Sequence, residues 1–139
     1  MFILDTNVLS EVLKAAPDER VMAWLKNQPR PALFTTTITR GEILFGIRLL
    51  PDGRRRRALW DAALAIFDED FAERVLGFDS DAADAYAEIG SSRRAAGRPI
   101  SQFDALIAGM ARSRGASVAS RNAKDFEVCG IDVIDPWSA

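Results

Sequence analysis

The chain has no histidine, one cysteine and one tyrosine among its 139 residues. The missing histidine removes the usual general acid and base of metal-free ribonucleases, and with it the Ser-His-Asp and Cys-His nucleophile systems. It also removes histidine zinc sites, and the lone Cys129 is too little for a thiolate site. Cys129 cannot form an internal disulfide, which agrees with a reducing cytoplasm. No apolar run reaches the length of about 18 residues that a transmembrane helix needs. The N-terminus, Met1-Phe2-Ile3-Leu4-Asp5, lacks a basic region and meets a charge at Asp5, so no signal peptide is expected. Hydrolytic chemistry in such a chain has to rest on carboxylates, hydroxyls, Lys and Arg, and hard metal ions.

What is present suits one domain. A chain of this length can bury a real core without staples. It shows no internal repeat, low-complexity stretch or long linker, so residues 1–139 read as a single unit. The 18 basic and 20 acidic residues leave a net charge of −2, which weighs against nonspecific coating of nucleic acid. A local basic surface remains available at Arg54-Arg55-Arg56-Arg57. That run could meet RNA phosphates, but a solvated helix start explains it as well and is the preferred reading.

Phe2-Ile3-Leu4 reads as a strand ending at Asp5, followed by a helix over Val8 to Lys14. Pro17-Asp18 opens a second helix, and Leu33 to Thr37 is β-branched and aromatic, hence a strand. Helices are expected from Thr39 to Leu50 and from Arg54 to Phe71, and a strand from Val75 to Phe78. Ser80 and Ser101 are the expected caps of two more helices, the second stopped by Gly115. Ser117 to Ser120 and Val133-Ile134 complete the strands. Short apolar strands alternating with helices predict an α/β fold with a mainly parallel sheet. In such sheets sites form at the carboxyl ends of strands, which singles out Asp5 and the segment after Ser120.

Four carboxylates stand at element ends: Asp5, Glu42, Asp104 and Asp125. If these ends gather at one sheet edge, several negative charges share a small volume and call for neutralising cations. An oxygen-only cluster suits Mg²⁺ or Mn²⁺. Such an ion could activate water and stabilise charge on a scissile phosphate without any histidine. Each residue also has a plainer explanation. Thr39-x-x-Glu42 matches a capping box and Ser101-x-x-Asp104 nearly does. Asp5 could simply form a turn, and Asp125 could be a solvated loop residue.

Four ordered blocks resemble a known family, the PIN-domain ribonucleases, and specifically the VapC-type toxins of toxin–antitoxin operons. They are Leu4-Asp5-Thr6-Asn7-Val8, Ile38-Thr39-Arg40-Gly41-Glu42-Ile43, Asp104-Ala105-Leu106-Ile107-Ala108, and Val118-Ala119-Ser120-Arg121-Asn122-Ala123-Lys124-Asp125-Phe126. Within that group the FitB-like members are the most similar in pattern, down to the terminal Asp135-Pro136-Trp137. The resemblance implies a PIN-like three-layer α/β/α fold and an endoribonuclease site with Asp5, Glu42, Asp104 and Asp125 as catalytic, Mg²⁺- or Mn²⁺-binding acids. Thr6 and Asn7 would support Asp5, and Ser120 would stand at a position usually held by threonine. Some members carry an acid where this chain has Asn122, so Asn122 and Asp125 compete for the fourth place. Arg40 and Arg121, each beside an acidic block, are candidate phosphate contacts.

The resemblance further implies a homodimer, a small antitoxin that blocks the metal site, operator DNA contacted through that antitoxin, and a structured RNA substrate. Val8, Leu9, Val12, Leu13, Leu44, Phe45 and Ile47 could line a groove for an antitoxin helix, or be core. Trp24, Trp60 and Phe67, on apolar helix faces, are expected in the core or at a dimer contact. The alternative function is a FitB-like regulatory subunit that binds operator DNA with its partner and cleaves little RNA. A phosphoryl-transfer protein using Asp5 as acceptor ranks last, because that pattern needs a second Asp where Asn7 stands.

Overall fold

Five short strands lie side by side at the centre: β1 (Phe2–Leu4), β2 (Leu33–Thr36), β3 (Val75–Leu76), β4 (Ser117–Ala119) and β5 (Val133–Ile134). Every pairing is parallel, and the order across the sheet is β3-β2-β1-β4-β5. The structure is a computed structural model that describes all 139 residues. The sheet agrees with the α/β architecture expected from the strand–helix alternation.

Alternate side chains of the central strands point to opposite faces, and each face has its own core. Leu4, Leu33 and Ala119 pack with Val8, Leu9, Val21, Trp24, Ile43, Ile47, Ala63 and Phe67. These come from α1 (Thr6–Val12), α2 (Glu19–Asn27), α3 (Thr37–Arg48), α4 (Arg54–Ala65) and the wide π-helical turn Ile66–Asp70 that follows it. Ile3 and Val118 face the other way, onto Ile89, Ile107, Ala108 and Ala111. Those belong to α5 (Ser80–Ala95) and α6 (Gln102–Arg114). Helices on both faces of a sheet give three layers. Trp24 and Phe67 are thus core residues, and Trp60 packs partly buried against the same cluster.

α5 and α6 are pressed together at Gly109, where an added Cβ would stand 2.7 Å from the Ala82 carbonyl oxygen. A side chain at that position would force the two helices apart. No helix is long and apolar enough to cross a membrane.

α1 runs Thr6–Val12 rather than Val8 to Lys14 and β3 stops at Leu76 rather than Phe78; three other differences from the sequence expectations stand at helix ends. α3 starts at Thr37, because Thr36 and not Thr39 is its N-cap and its hydroxyl accepts from the Thr39 amide at 3.1 Å. Asp79 rather than Ser80 caps α5, accepting from the Ala82 amide at 2.9 Å. α4 ends at Ala65, and the expected continuation to Phe71 is the π-helical turn. For α3 and α5 an equally good cap residue one to three positions upstream wins. Ser101 does cap α6, and Gly115 ends it in the left-handed conformation at φ 63°.

Candidate active site

Parallel pairing brings the carboxyl ends of β1, β2 and β4 together. In the register, Leu4 lies opposite Ala119, so the next residue out on each strand puts Asp5 beside Ser120. The Asp5 amide continues the ladder to the Ala119 carbonyl at 2.9 Å. Asp5 is also the N-cap of α1, its Oδ1 accepting from the Thr6 amide at 2.8 Å. Asp5 is therefore a helix cap rather than the simple turn former of the plainer explanation. That role leaves the rest of the carboxylate to explain.

The Ser120 hydroxyl donates to Asp5 Oδ2 at 2.7 Å and accepts from Asn7 Nδ2 at 3.2 Å and from the Asn122 amide at 3.1 Å. One donated and two accepted bonds exhaust what a hydroxyl can do. Asn7 Nδ2 also approaches Asp5 Oδ2 at 3.4 Å, and Asn7 Oδ1 accepts from the Arg121 amide at 3.3 Å. Asp5, Asn7 and Ser120 thus form one closed network, in which three of the roughly four acceptor positions of the carboxylate are used.

Thr6 builds the adjoining wall. Its hydroxyl donates to Glu42 Oε1 at 2.8 Å and lies 3.0 Å from the Thr39 hydroxyl. Because the single Thr6 proton goes to Glu42, Thr39 is the donor in that second pair. Glu42 is the sixth residue of α3, too deep in the helix to serve as a cap, so the capping-box explanation fails there. Asp104 is in the first turn of α6, and its amide does bond the Ser101 hydroxyl at 3.3 Å. Its carboxylate nonetheless borders the same open space as the other acids.

That space is a cavity of 420 Å³ lined by Asp5, Thr6, Asn7, Glu42, Asp104 and Asn122, with Glu11, Lys14, Arg121 and Trp137 among the remaining walls. Burial pushes the Asp5 carboxyl up from 3.8 to about 6, the Ser120 and Thr6 bonds hold it back, and the charges of Asp104 and Glu42 push it further. Glu42 is also raised, by burial and then by the charge of Asp104, against the Thr6 bond. Asp104 is raised by burial, held back by Ser101, raised again by Asp125, and lowered by Arg93. Asp5 and Glu42 thus feel the charge of other acids in the cavity, and Asp104 feels that of Asp125. No three acidic side chains stand close enough together to hold one ion between them.

A PIN-domain family profile matches residues 2–130. The chain belongs to the PIN-domain family. Over 137 residues it is 39% identical to VapC ribonuclease Y4jK of Sinorhizobium fredii, covering 99% of this chain and 98% of the relative. It is 35% identical to toxin FitB of Neisseria gonorrhoeae over 99% of both. The structure of FitAB bound to an IR36 DNA fragment superimposes with a TM-score of 0.92 at 35% identity, covering 99% of this chain and 96% of that one.

Within this PIN domain the expected site residues divide. Asp5, Thr6, Asn7, Glu42, Asp104 and Asn122 reach the cavity, with Ser120 directly behind Asp5. Asp125 lies on the exposed side of the turn Ala123–Phe126, outside the cavity lining, and acts on Asp104 by charge. The two arginines also separate. Arg40 is paired with Asp68 at 2.7 Å and lies over the Phe67 ring, whereas Arg121 lines the cavity with its guanidinium 5.1 Å from the Trp137 ring centre. Arg54, Arg55 and Arg57 are exposed, as a solvated helix start requires.

Glu11 and Lys14 escaped the sequence reading, although their spacing is that of a helical ion pair. Glu11 is buried, bonded to Lys14 Nζ and to the Asp18 amide, both at 2.9 Å. Those bonds hold its carboxyl below the usual range, the Lys14 bond most strongly.

A second opening of 660 Å³ adjoins the first and shares Thr6, Ser10, Lys14 and Glu42 with it. Its apolar wall is Leu13, Ile43, Ile47, Leu50 and Leu59. Of the expected groove residues only Leu13 and Ile47 line it. Val8 and Leu9 are core, and Phe45 points into solvent.

Proposed function

We propose that this protein is a divalent-metal-dependent endoribonuclease and the toxin of a VapBC-type toxin–antitoxin pair. The observation that carries the proposal is the cavity shared by Asp5, Glu42 and Asp104, whose carboxyls are each raised by burial and by the charge of a neighbouring acid. The absence of histidine leaves carboxylate chemistry as the available route, and likeness to a VapC ribonuclease supports RNA as the substrate class.

The donor set is chemically suited to Mg²⁺ or Mn²⁺, being all oxygen. Mg²⁺ commonly takes one or two carboxylates directly and keeps several waters, so acids that do not close on one point are no obstacle. Asp5, Glu42 and Asp104 would hold the ion, one or two of them directly and the rest through its waters, with the Asn122 amide oxygen or Asp125 beside them. When bound, such an ion supplies Lewis acidity toward a phosphodiester and a more acidic water. The protein's own residues do the orienting. Ser120 and Asn7 hold Asp5 in one rotamer, and Thr6 does the same for Glu42. Arg121, resting on Trp137, is placed to meet a phosphate at the cavity edge.

The adjoining apolar groove suits an amphipathic helix of an antitoxin. A basic side chain on that helix could reach the acids through the wall the two openings share. A homodimer, and operator DNA contacted through the antitoxin, follow from the family, and likeness to the DNA-bound FitAB structure supports the latter. The partner-free protein should cleave structured RNA in Mg²⁺ or Mn²⁺, leaving 5′-phosphate ends, and should stop with EDTA or with Asp104→Asn. A FitB-like regulatory role, favoured by the same FitAB likeness, replaces this proposal if the metal-loaded protein cuts no RNA yet binds operator DNA with its partner.

A further inference from the structure

Arg93 sits on α5, outside the cavity, and is only 5% exposed. Burying a guanidinium without an ion-pair partner is costly, and no carboxylate pairs with this one. Its donors go to main-chain carbonyls instead. Nε donates to the Arg98 carbonyl at 2.7 Å, and Nη1 to those of Asp125 and Glu127, both at 2.9 Å, with Cys129 Sγ at 3.6 Å. The Arg98 amide returns a bond to the Arg93 carbonyl at 2.9 Å.

The two stretches gripped in this way are not arbitrary. Arg98 belongs to the connection that leads through the Ser101 cap into α6 and Asp104. Asp125 and Glu127 belong to the segment that immediately follows Asn122. A second link between the stretches, the Arg98–Glu127 ion pair at 2.6 Å, is about half exposed on both sides. A planar guanidinium with donors along two edges fixes both distance and angle between the groups it bonds. Neither stretch has the interlocked side-chain network that holds Asp5.

We infer that Arg93 is a positioning residue, which ties the start of the Asp104 helix to the turn after Asn122 and so sets the spacing of that half of the donor set. The inference rests on the metal-dependent reading of the cavity. Its structural content, the coupling of two segments, can be tested without metal or RNA.

The test compares Arg93→Lys, Arg93→Met and the surface control Arg98→Ala in the full chain. Lysine keeps the charge and can satisfy some carbonyls, but it cannot bond along two edges. Each protein is first checked for cooperative unfolding, then for Mn²⁺ affinity, for the separate KM and kcat of RNA cleavage, and for amide hydrogen exchange. Arg93→Lys should unfold cooperatively, bind Mn²⁺ about tenfold more weakly, lower kcat with KM within twofold, and exchange faster over residues 98–104 and 122–129 together. Arg93→Met should show the same pattern more severely, and Arg98→Ala, which removes only the exposed Arg98–Glu127 pair, should stay within about twofold of wild type. Folded Arg93→Lys with wild-type Mn²⁺ affinity, or with only one of the two segments loosened, overturns the inference. Failure of wild type itself to bind Mn²⁺ counts against the function proposed above, and the exchange comparison then decides the coupling on its own.

Discussion

The cavity has two unlike halves. On one side Asp5, Thr6, Asn7, Glu42 and Ser120 are locked by side-chain bonds that join residues up to 115 positions apart. On the other, Asp104 and Asn122 come from a helix start and a turn, and their segments are held mainly through the main chain, by Ser101, Ser120 and Arg93. The first half is anchored at strand ends by Asp5 and Ser120, where register fixes positions to within a hydrogen bond. The second hangs on connections, which shift at lower cost. An ion bridging the halves would have its geometry dictated by the first and its affinity tuned by the second.

The largest expected effect comes from removing the charge at the centre of the rigid half. Asp5→Asn should lower RNA cleavage on the order of a thousandfold, since a bound ion contributes several kcal/mol of charge stabilisation. Stability should move the other way in metal-free buffer. The folded Asp5 pKa is raised from 3.8 to about 6, so the native state retains a proton that the unfolded chain gives up between those values. The cost of the buried charge is absent below that window and complete above pH 6, at up to about 3 kcal/mol. Urea titrations should show Asp5→Asn more stable than wild type at pH 7 and little different at pH 4. Equal stability at pH 7 would mean that the carboxylate is better solvated than its surroundings indicate.

Breaking the network without touching a charge comes next. Ser120→Ala removes one bond to Asp5 and two acceptor contacts in a fully buried place, and should cost about 1–3 kcal/mol of stability. It should also move the Asp5 titration upward, because the Ser120 bond is what chiefly lowers it. Carboxyl titration followed by NMR reads that shift directly, and a downward shift would contradict the network.

Within the looser half, Asn122→Ala should weaken Mn²⁺ binding by about tenfold, while Asp125→Asn should change it by less than about threefold, the scale of an exposed charge acting at a distance. The reverse order would give the fourth place to Asp125 instead of Asn122. The smallest effect separates the arginines. Arg121→Gln should reduce the salt dependence of RNA binding by about one phosphate contact, and Arg40→Gln should leave it unchanged, because Arg40 already pairs with Asp68.

Most of the architecture was legible without coordinates. Alternation of short apolar strands with helices is a local property, read from side-chain period alone, and all five strands fall where it puts them. The helix starts at Thr37 and Ser80 differ from expectation because nearby polar residues compete to cap, Thr36 with Thr39 and Asp79 with Ser80, and only the local backbone angles choose between them. Asp125 was the harder case. An acid three residues beyond Asn122 looks equivalent in a linear pattern, yet the turn Ala123–Phe126 directs one toward the cavity and the other to solvent. Arg93 was invisible for a related reason. Its partners are carbonyls of residues 98, 125 and 127, which no side-chain pattern can announce.

The amino-acid sequence by itself determined the class of chemistry: acids at element ends, with no histidine or cysteine pair to offer another route. It also determined the α/β alternation of strands and helices, because hydrophobic period is encoded within a few residues. Tertiary structure alone decided which acids share a cavity and what holds them there. Asp5 meets Ser120 only through the parallel register of β1 and β4, and Thr6 meets Glu42 only because β1 and β2 end at the same edge. Burial and the charge of a neighbouring acid then raise all three carboxyls, a property that belongs to the assembled edge and to none of the segments that form it.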